Sequence, residues 1–319
     1  MAGAWRARLT RAEFAKRVAA FGVAAPLLGA AEAEEDGRLA VAPSSRGPLI
    51  TPVEQTFVYS QMRSPPAPAL SPSSGAIALD GLVRKATSFG YGELRALPHE
   101  RRILTLECFV NTAGGPLIFT TEFEGVPLAR LIEAAGVRDD AVSALVETVD
   151  GHPPFLLPLT ELRRPGVVLV SRMGGAEASL AHGGAYARLM IPGAGGNHLP
   201  KWVTRISFVD KHAPEHLAPP MAGFLAPAPP EAVAVLGGIT LTGYAFSGPE
   251  YVGAVEISTD DGKTYQAFPA LPQPDPNVWV TWALRWQPPR RGFYVLRLRA
   301  ASASGRKQET PGVLAVEVR

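Results

Sequence analysis

From Tyr294 to Ala300 the side chains alternate, with Tyr294, Leu296, Leu298 and Ala300 on one face and Val295, Arg297 and Arg299 on the other. That is the period of a half-buried strand. Around it GITLTGYAFS, GAVEIS, TYQAF, VWVTWALRWQ and GVLAVEVR have strand length and composition, and Asp261-Gly262 in STDDGKTY marks a hairpin turn. Residues 237–319 therefore predict an all-β unit, an immunoglobulin-like sandwich. Trp279, Trp282 and Trp286 read as its core.

Upstream the rhythm is mixed. VPLARLIEAAGV predicts a helix: Pro127 sits at its start, Leu128, Leu131, Ile132 and Ala135 form one stripe, and Gly136 ends it. GYGELRALP predicts a shorter helix stopped by Pro98. GAIALDGLV, SALVETVD, PFLLPL, GVVLVSRM and RLMI predict strands, and QTFVYSQM could form one. RRILTLECFVN reads as a strand buried on both faces, running out near Cys108 to Asn111 into the loop TAGGP. The Pro-rich stretch 212–236 shows neither period and reads as a connector, so one mixed α/β domain spans 50–211, and the fold class is α+β.

Composition adds turns to this picture, with 31 prolines and 32 glycines, so strands and loops should outweigh helices. The formal charge of +2 comes from the first 33 residues, which carry five Lys or Arg against two acids. Without them 26 basic residues face 27 acidic ones, and nothing asks for nucleic acid as a partner. RARLTRAEFAKR, then VAAFGVAAPLLGAA and Ala31-Glu32-Ala33, describe a cleavable export signal at 1–33, followed by a linker at 34–49. The apolar part is too short to span a bilayer, and the other reading of the stretch is an amphipathic helix. TRAEFAK resembles the twin-arginine export pattern with Ala12 in place of the second arginine. A periplasmic or exported protein is expected.

The chain has one cysteine, Cys108. That excludes an internal disulfide, covalent haem attachment through C-x-x-C-H, and a four-cysteine cluster. A free cysteine in an apolar run is ordinarily a small core residue, yet this one lies where a strand gives way to a Gly-rich loop, a usual place for functional groups. A second stretch, HGGAYARLMIPGAGGNHLPKW at 182–202, brings His182, Arg188, His198 and Lys201 among glycines. It suits a phosphate and a flat polar ring, or else it is a solvated basic loop. His99 and His152 read as solvated turn residues.

Together the two stretches resemble the Cys-x-x-Asn and pterin-contacting segments of the sulfite oxidase family of molybdenum enzymes. TPVEQTFVYSQ, IALDGLVRKATSFGYGELRALP and FEGVPLARLIEAAGV follow in that family's order, and LTGYAFSGPEYVGAVEISTDDGKTYQAF is similar to the start of its dimerisation domain. The resemblance implies a molybdopterin-binding domain of sulfite-oxidase type and a possible homodimer through the C-terminal domain. It also implies molybdenum carried by one pyranopterin dithiolene, with Cys108 as the protein's metal ligand. By matching position, His182, Arg188 and Lys201 would hold the pterin and phosphate, and Asn111 would order the ligand loop. The implied reaction moves an oxygen atom to or from a small sulfur-containing substrate, with electrons leaving to a separate carrier such as a c-type cytochrome.

Sulfite oxidases carry arginine directly after Cys-x-x-Asn. Here Thr112, Ala113, Gly114 and Gly115 follow, and no Lys or Arg occurs from Phe109 to Ala129. The tyrosine expected after the KW strand is also missing from 203–230. The substrate is then either a neutral sulfur compound such as a sulfoxide or an anion gripped from elsewhere, by Arg63 or Arg172.

Overall fold

The computed structural model describes residues 39–42, 50–60, 75–227, 231–234, 236–269 and 272–319. The expected export signal at 1–33 and Arg63 lie outside them. The described residues divide into two compact units, one of residues 50–109 and 119–218, the other of 110–118 and 219–319 with 39–42.

The first unit holds two five-stranded sheets among the described residues. One runs Thr87–Gly90, Ala76–Gly81, Val203–Val209, Ser143–Thr148, Phe155–Pro158, with Ala76–Gly81 and Val203–Val209 parallel. The other runs Arg188–Met190, Val168–Met173, Ile118–Pro127, Glu100–Glu107, with Ala176–Glu177 beside Val168–Met173. One core joins them, from Ile77 and Leu79 through Phe123 to Ile206 and Phe208. The helix Leu128–Ala135 buries Leu128, Leu131, Ile132 and Ala135 in that core and stops at Gly136, whose φ of 62° suits a residue without Cβ.

Two expectations for this unit hold only in part. Glu100–Glu107 is buried on both faces only from Leu104 onward: Thr105 and Glu107 are buried as Leu104 and Leu106 are, whereas Arg101 to Ile103 before them and Phe109 and Val110 beyond the strand are exposed. The strand lies at the edge of its sheet, where one flank meets no neighbour. QTFVYSQM does not start as a strand: Val53–Gln55 is a 3-10 turn, closed by Thr56 Oγ1 donating to Val53 O at 2.7 Å, and Thr56–Ser60 belongs to no regular element.

The second unit is two sheets around a shared core. Leu39–Ala42, Val280–Trp286, Ile239–Phe246 and Met221–Ala226 form one, while Glu231–Ala234, Gly312–Val318, Gly292–Ser302, Val252–Ser258 and Gln266–Pro269 form the other. Phe224, Leu241, Trp282 and Trp286 of the first meet Val255, Leu296, Leu298 and Val316 of the second in that core. Each buried Trp is worth roughly 3–5 kcal/mol against truncation to Ala. At the predicted hairpin Asp261 and Gly262 have φ of 63° and 86°, both positive as a type I′ turn requires.

The stretch read as a Pro-rich connector contains two strands, Met221–Ala226 and Glu231–Ala234. Each is the last strand of its sheet, where flanking prolines cost no ladder bond, so proline content alone misreads them. The strand Leu39–Ala42 likewise falls in the expected linker and pairs with Val280–Trp286. Among the described residues no helix is long and apolar enough to cross a membrane.

Glu250 in this unit accepts from Arg306 Nε at 2.7 Å and from the Ser304 N–H at 3.2 Å. Burial alone would raise its carboxyl, but hydrogen bonds from Ser304, Arg306 and Ser302 outweigh that and hold it down at about 2. A folded value below the unfolded one, about 4.3, stabilises the fold above that pH and loses the contribution as pH falls toward 2. Thermal melts of Glu250→Gln should therefore lie below the parent's at neutral pH, with the gap closing between about pH 4.5 and 2. A gap that stays constant over that window would contradict the pairing.

Candidate active site

Cys108 follows directly on the last residue of Glu100–Glu107, a strand tied to its neighbour by a 2.6 Å Thr105–Thr120 hydroxyl bond. It is only 5% exposed, and it lines a small cavity with His182, Arg188, Gly196 and Lys201 over Leu106, Phe119 and Leu199. Gly196 is required there, because a Cβ would lie 2.7 Å from Glu107 O and 3.1 Å from Cys108 Cα. The strand end supplies the thiol, and the 182–202 stretch supplies the opposing wall.

The cations come from the short strand Arg188–Met190 and from Lys201, which bridges back to Arg188 across the sheet. Arg188 is 6% exposed; its Nη1 donates to His182 O at 2.7 Å, and its buried Nε has no partner. Burial lowers its guanidinium to about 10. No carboxylate pairs with it among the described residues, and a buried charge so placed costs several kcal/mol unless an anion arrives. Lys201 Nζ donates to Tyr59 O at 2.7 Å and lies 4.5 Å over the Trp202 ring. Burial and then Arg188 lower its ammonium to about 8, against the pull of Asp150 and Cys108.

His182 is held by the protein on both ring nitrogens. The Thr56 hydroxyl donates to Val53 O, so it accepts from His182 Nε2 at 2.8 Å, which leaves Nδ1 to accept from Ser179 Oγ at 2.9 Å. Burial, then the charges of Arg188 and Lys201, push it down to about 4, and it is neutral. Its ring ties Thr56 and Ser179 to the cavity, and its carbonyl aims Arg188. Two residues of this wall adopt left-handed backbone that non-glycine side chains avoid, Tyr186 at φ 63° and Trp202 at φ 59°. Such strain persists where the surroundings over-determine it, as they do on either side of Arg188 and Lys201.

Four of the five residues expected from sequence, Cys108, His182, Arg188 and Lys201, line the same cavity. Asn111 does not line it. It falls in 110–118, where its Oδ1 accepts from the Leu117 N–H at 3.0 Å and closes the loop after the cysteine. Arg172 is also elsewhere: its guanidinium chelates Gly175 O, and it borders a separate cleft with Arg95, His99 and Tyr186. Sequence reasoning missed Asp150 and His152. Both line a second small cavity that shares Cys108, Gly196 and Lys201 with the first, and the His152 ring stacks on Phe155 at 4.2 Å. A DGH turn carries no local sign of this, since the approach to Cys108 is made in space.

These residues fit a molybdopterin. A soft thiolate suits molybdenum, and an unpaired buried guanidinium beside an ammonium suits the pterin's phosphate. Among the described residues no cluster of three or more His, Cys, Asp or Glu is placed to hold a metal ion.

Comparison with known proteins agrees. Residues 65–217 match the family Oxidoreductase molybdopterin binding domain. The chain is 24% identical over 292 residues to the sulfite oxidase of Gallus gallus, covering 74% of this chain and 63% of that one. It is 28% identical over 192 residues to a nitrate reductase [NADPH] of Phytophthora infestans, covering 53% of this chain and 21% of the relative. The chain thus spans less than two thirds of either relative's length. The solved sulfane dehydrogenase SoxCD from Paracoccus pantotrophus superimposes with a TM-score of 0.62 at 23% identity, over 75% of this chain and 70% of that one, and shares the fold. With a molybdopterin domain matched across the cavity and a thiol, a guanidinium and an ammonium facing into it, the chain belongs to the sulfite oxidase family of molybdopterin-dependent oxidoreductases and takes Mo-molybdopterin as its cofactor.

Proposed function

We propose that the protein is an exported enzyme that transfers an oxygen atom to or from a small sulfur-containing substrate and passes electrons to a separate carrier, a c-type cytochrome. The observation that carries this is the convergence of the chain's one thiol with a buried, unpaired Arg188 on one cavity. Bound there, the cofactor supplies two-electron oxygen-atom transfer. The protein's own part is to hold the cofactor's phosphate with Arg188 and Lys201, to keep His182 neutral as a brace, and to shield Cys108 from bulk water. The basic and apolar leader with Ala31-Glu32-Ala33 supports export, and a lone cysteine that serves as ligand leaves none for covalent haem, which supports an outside electron carrier. Two sheets on one core support an immunoglobulin-like second domain, and Phe293, 85% exposed, supports its use as a dimer surface.

Sulfite-type oxidation is the first reading of the substrate. The second cavity favours another, a sulfur compound without anionic charge, such as a sulfoxide or a sulfane. Among the described residues its walls offer Tyr59, Phe109, His152 and Phe155, with Lys201 as the one Lys or Arg and Asp150 opposing an anion. Each charged hydrogen bond missing from an anion pocket costs about 2–3 kcal/mol, or roughly 30- to 150-fold in affinity. Steady-state kinetics with sulfite, thiosulfate and several sulfoxides, using a cytochrome and a dye, should give a high KM for sulfite. Asp150→Asn should lower the sulfite KM by about fivefold, the effect of removing one charge of about 1 kcal/mol, and leave the KM of neutral substrates unchanged. A micromolar sulfite KM in the parent would contradict the neutral-substrate reading and make Arg63 the first residue to replace.

A further inference from the structure

Behind the ligand cysteine lies a cluster that neither the cofactor nor the substrate cavity uses. Glu161, in the short helix Leu159–Leu162, is fully buried, a costly place for a carboxyl with no structural task. Its Oε1 accepts the His216 N–H, and its Oε2 lies 3.6 Å from His216 Nδ1. The His216 ring stacks on that of His198, with centroids 3.6 Å apart and 24° between planes.

The backbone continues the connection toward Cys108. His216 O accepts the Gly195 N–H at 2.9 Å, Gly193 O accepts the Ala218 N–H at 2.9 Å, and Ala194 bridges to Leu217, so residues 216–218 are stitched along 193–195. Gly195 O in turn accepts the His198 N–H at 2.8 Å and closes the 3-10 turn Gly196–His198. Gly196 is the residue pressed against Glu107 O and Cys108 Cα. Burial, then the neighbouring His216, push His198 down to about 4, so the outer ring of the stack is uncharged at neutral pH. An acid buried without exposure, a histidine pair and a glycine contact thus form one unbroken path to the backbone of the ligand.

We infer that Glu161, His216 and His198 form a positioning group for Cys108: the acid fixes His216, His216 fixes the Gly193–His198 turn, and the turn sets Gly196 against the cysteine. None of the three touches the cofactor cavity, so they act through Cys108. The inference rests on Cys108 being the molybdenum ligand.

The lone thiol provides its own probe. In full-length protein prepared without cofactor, the rate of Cys108 alkylation by iodoacetamide reports how firmly the turn covers it. His216→Ala should raise that rate by about tenfold or more, a local opening worth one decade. Glu161→Gln should raise it less, since the amide oxygen still accepts the His216 N–H. Leu162→Ala, a core truncation on the same helix, should lower the melting temperature yet leave the rate within about twofold. In cofactor-loaded protein the thiolate-to-metal absorption band should shift in His216→Ala and not in Leu162→Ala. If His216→Ala does not fold, Glu161→Gln decides alone. Unchanged alkylation in the folded stack variants, or an equal rise in Leu162→Ala, would overturn the inference. Failure of the cofactor assignment reads out separately, as parent protein that contains no molybdenum.

Discussion

Cys108→Ser is expected to lose turnover by more than the roughly 10- to 100-fold that loss of an outer-shell partner costs a metal site, while remaining folded. The two side chains are nearly isosteric and the site is tightly packed, with Cys108 5% exposed and Gly196 against its Cα. The change therefore creates no cavity and no overlap. What it removes is softness, since a hydroxyl oxygen does not replace a thiolate on this metal. Arg188, Lys201 and His182 are untouched, so pterin is retained in part and the loss falls on chemistry. Thermal melts and steady-state rates on the same preparation separate the two effects. Full activity in a folded Cys108→Ser would remove the residue from the site.

Arg188→Ala is expected to act differently with and without cofactor. In the empty protein the change removes a buried charge whose Nε has no partner and which no carboxylate neutralises among the described residues. It gives up one bond to His182 O and a contact over Phe123, so the net effect on the melting temperature should be small. In the loaded protein the same change removes the guanidinium proposed to hold the cofactor's phosphate. A ligand bound only to the native state at about 100 times its Kd contributes about 2.7 kcal/mol, and losing that should lower the melting temperature by roughly 5–10 °C in a protein of this size. Molybdenum content should fall in parallel. Equal melting shifts in both forms, with full metal retained, would show that Arg188 serves packing alone.

Much of this was legible in the sequence because local chemistry decided it. The stripe of Leu128, Leu131, Ile132 and Ala135 with Gly136 behind it permits one structure, and so does the alternation around Leu296 and Leu298 with Asp261-Gly262 at the turn. The strands at Met221–Ala226 and Glu231–Ala234 were hidden by prolines that edge positions tolerate. The exposure of Ile103 and Phe109, at the two ends of the buried run Leu104–Cys108, depended on what packs over each end, and no window along the chain contains that. In the site, Cys108, Arg188 and Lys201 were legible as types, since a single thiol and paired cations among glycines are uncommon. Asp150 and His152 were not, because a turn far along the chain is carried to Cys108 by the strand Ser143–Thr148. Asn111 was expected to order the loop after the cysteine, and its side chain does close that loop onto Leu117, away from the cavity itself.

The central claim is that Cys108 binds the molybdenum. X-ray absorption at the molybdenum edge tests it most directly, on full-length parent and on Cys108→Ser prepared in a host that makes the cofactor. The account predicts molybdenum in both, with one sulfur scatterer fewer around the metal in the variant. The same sulfur count in both proteins, or a parent without molybdenum, would contradict it.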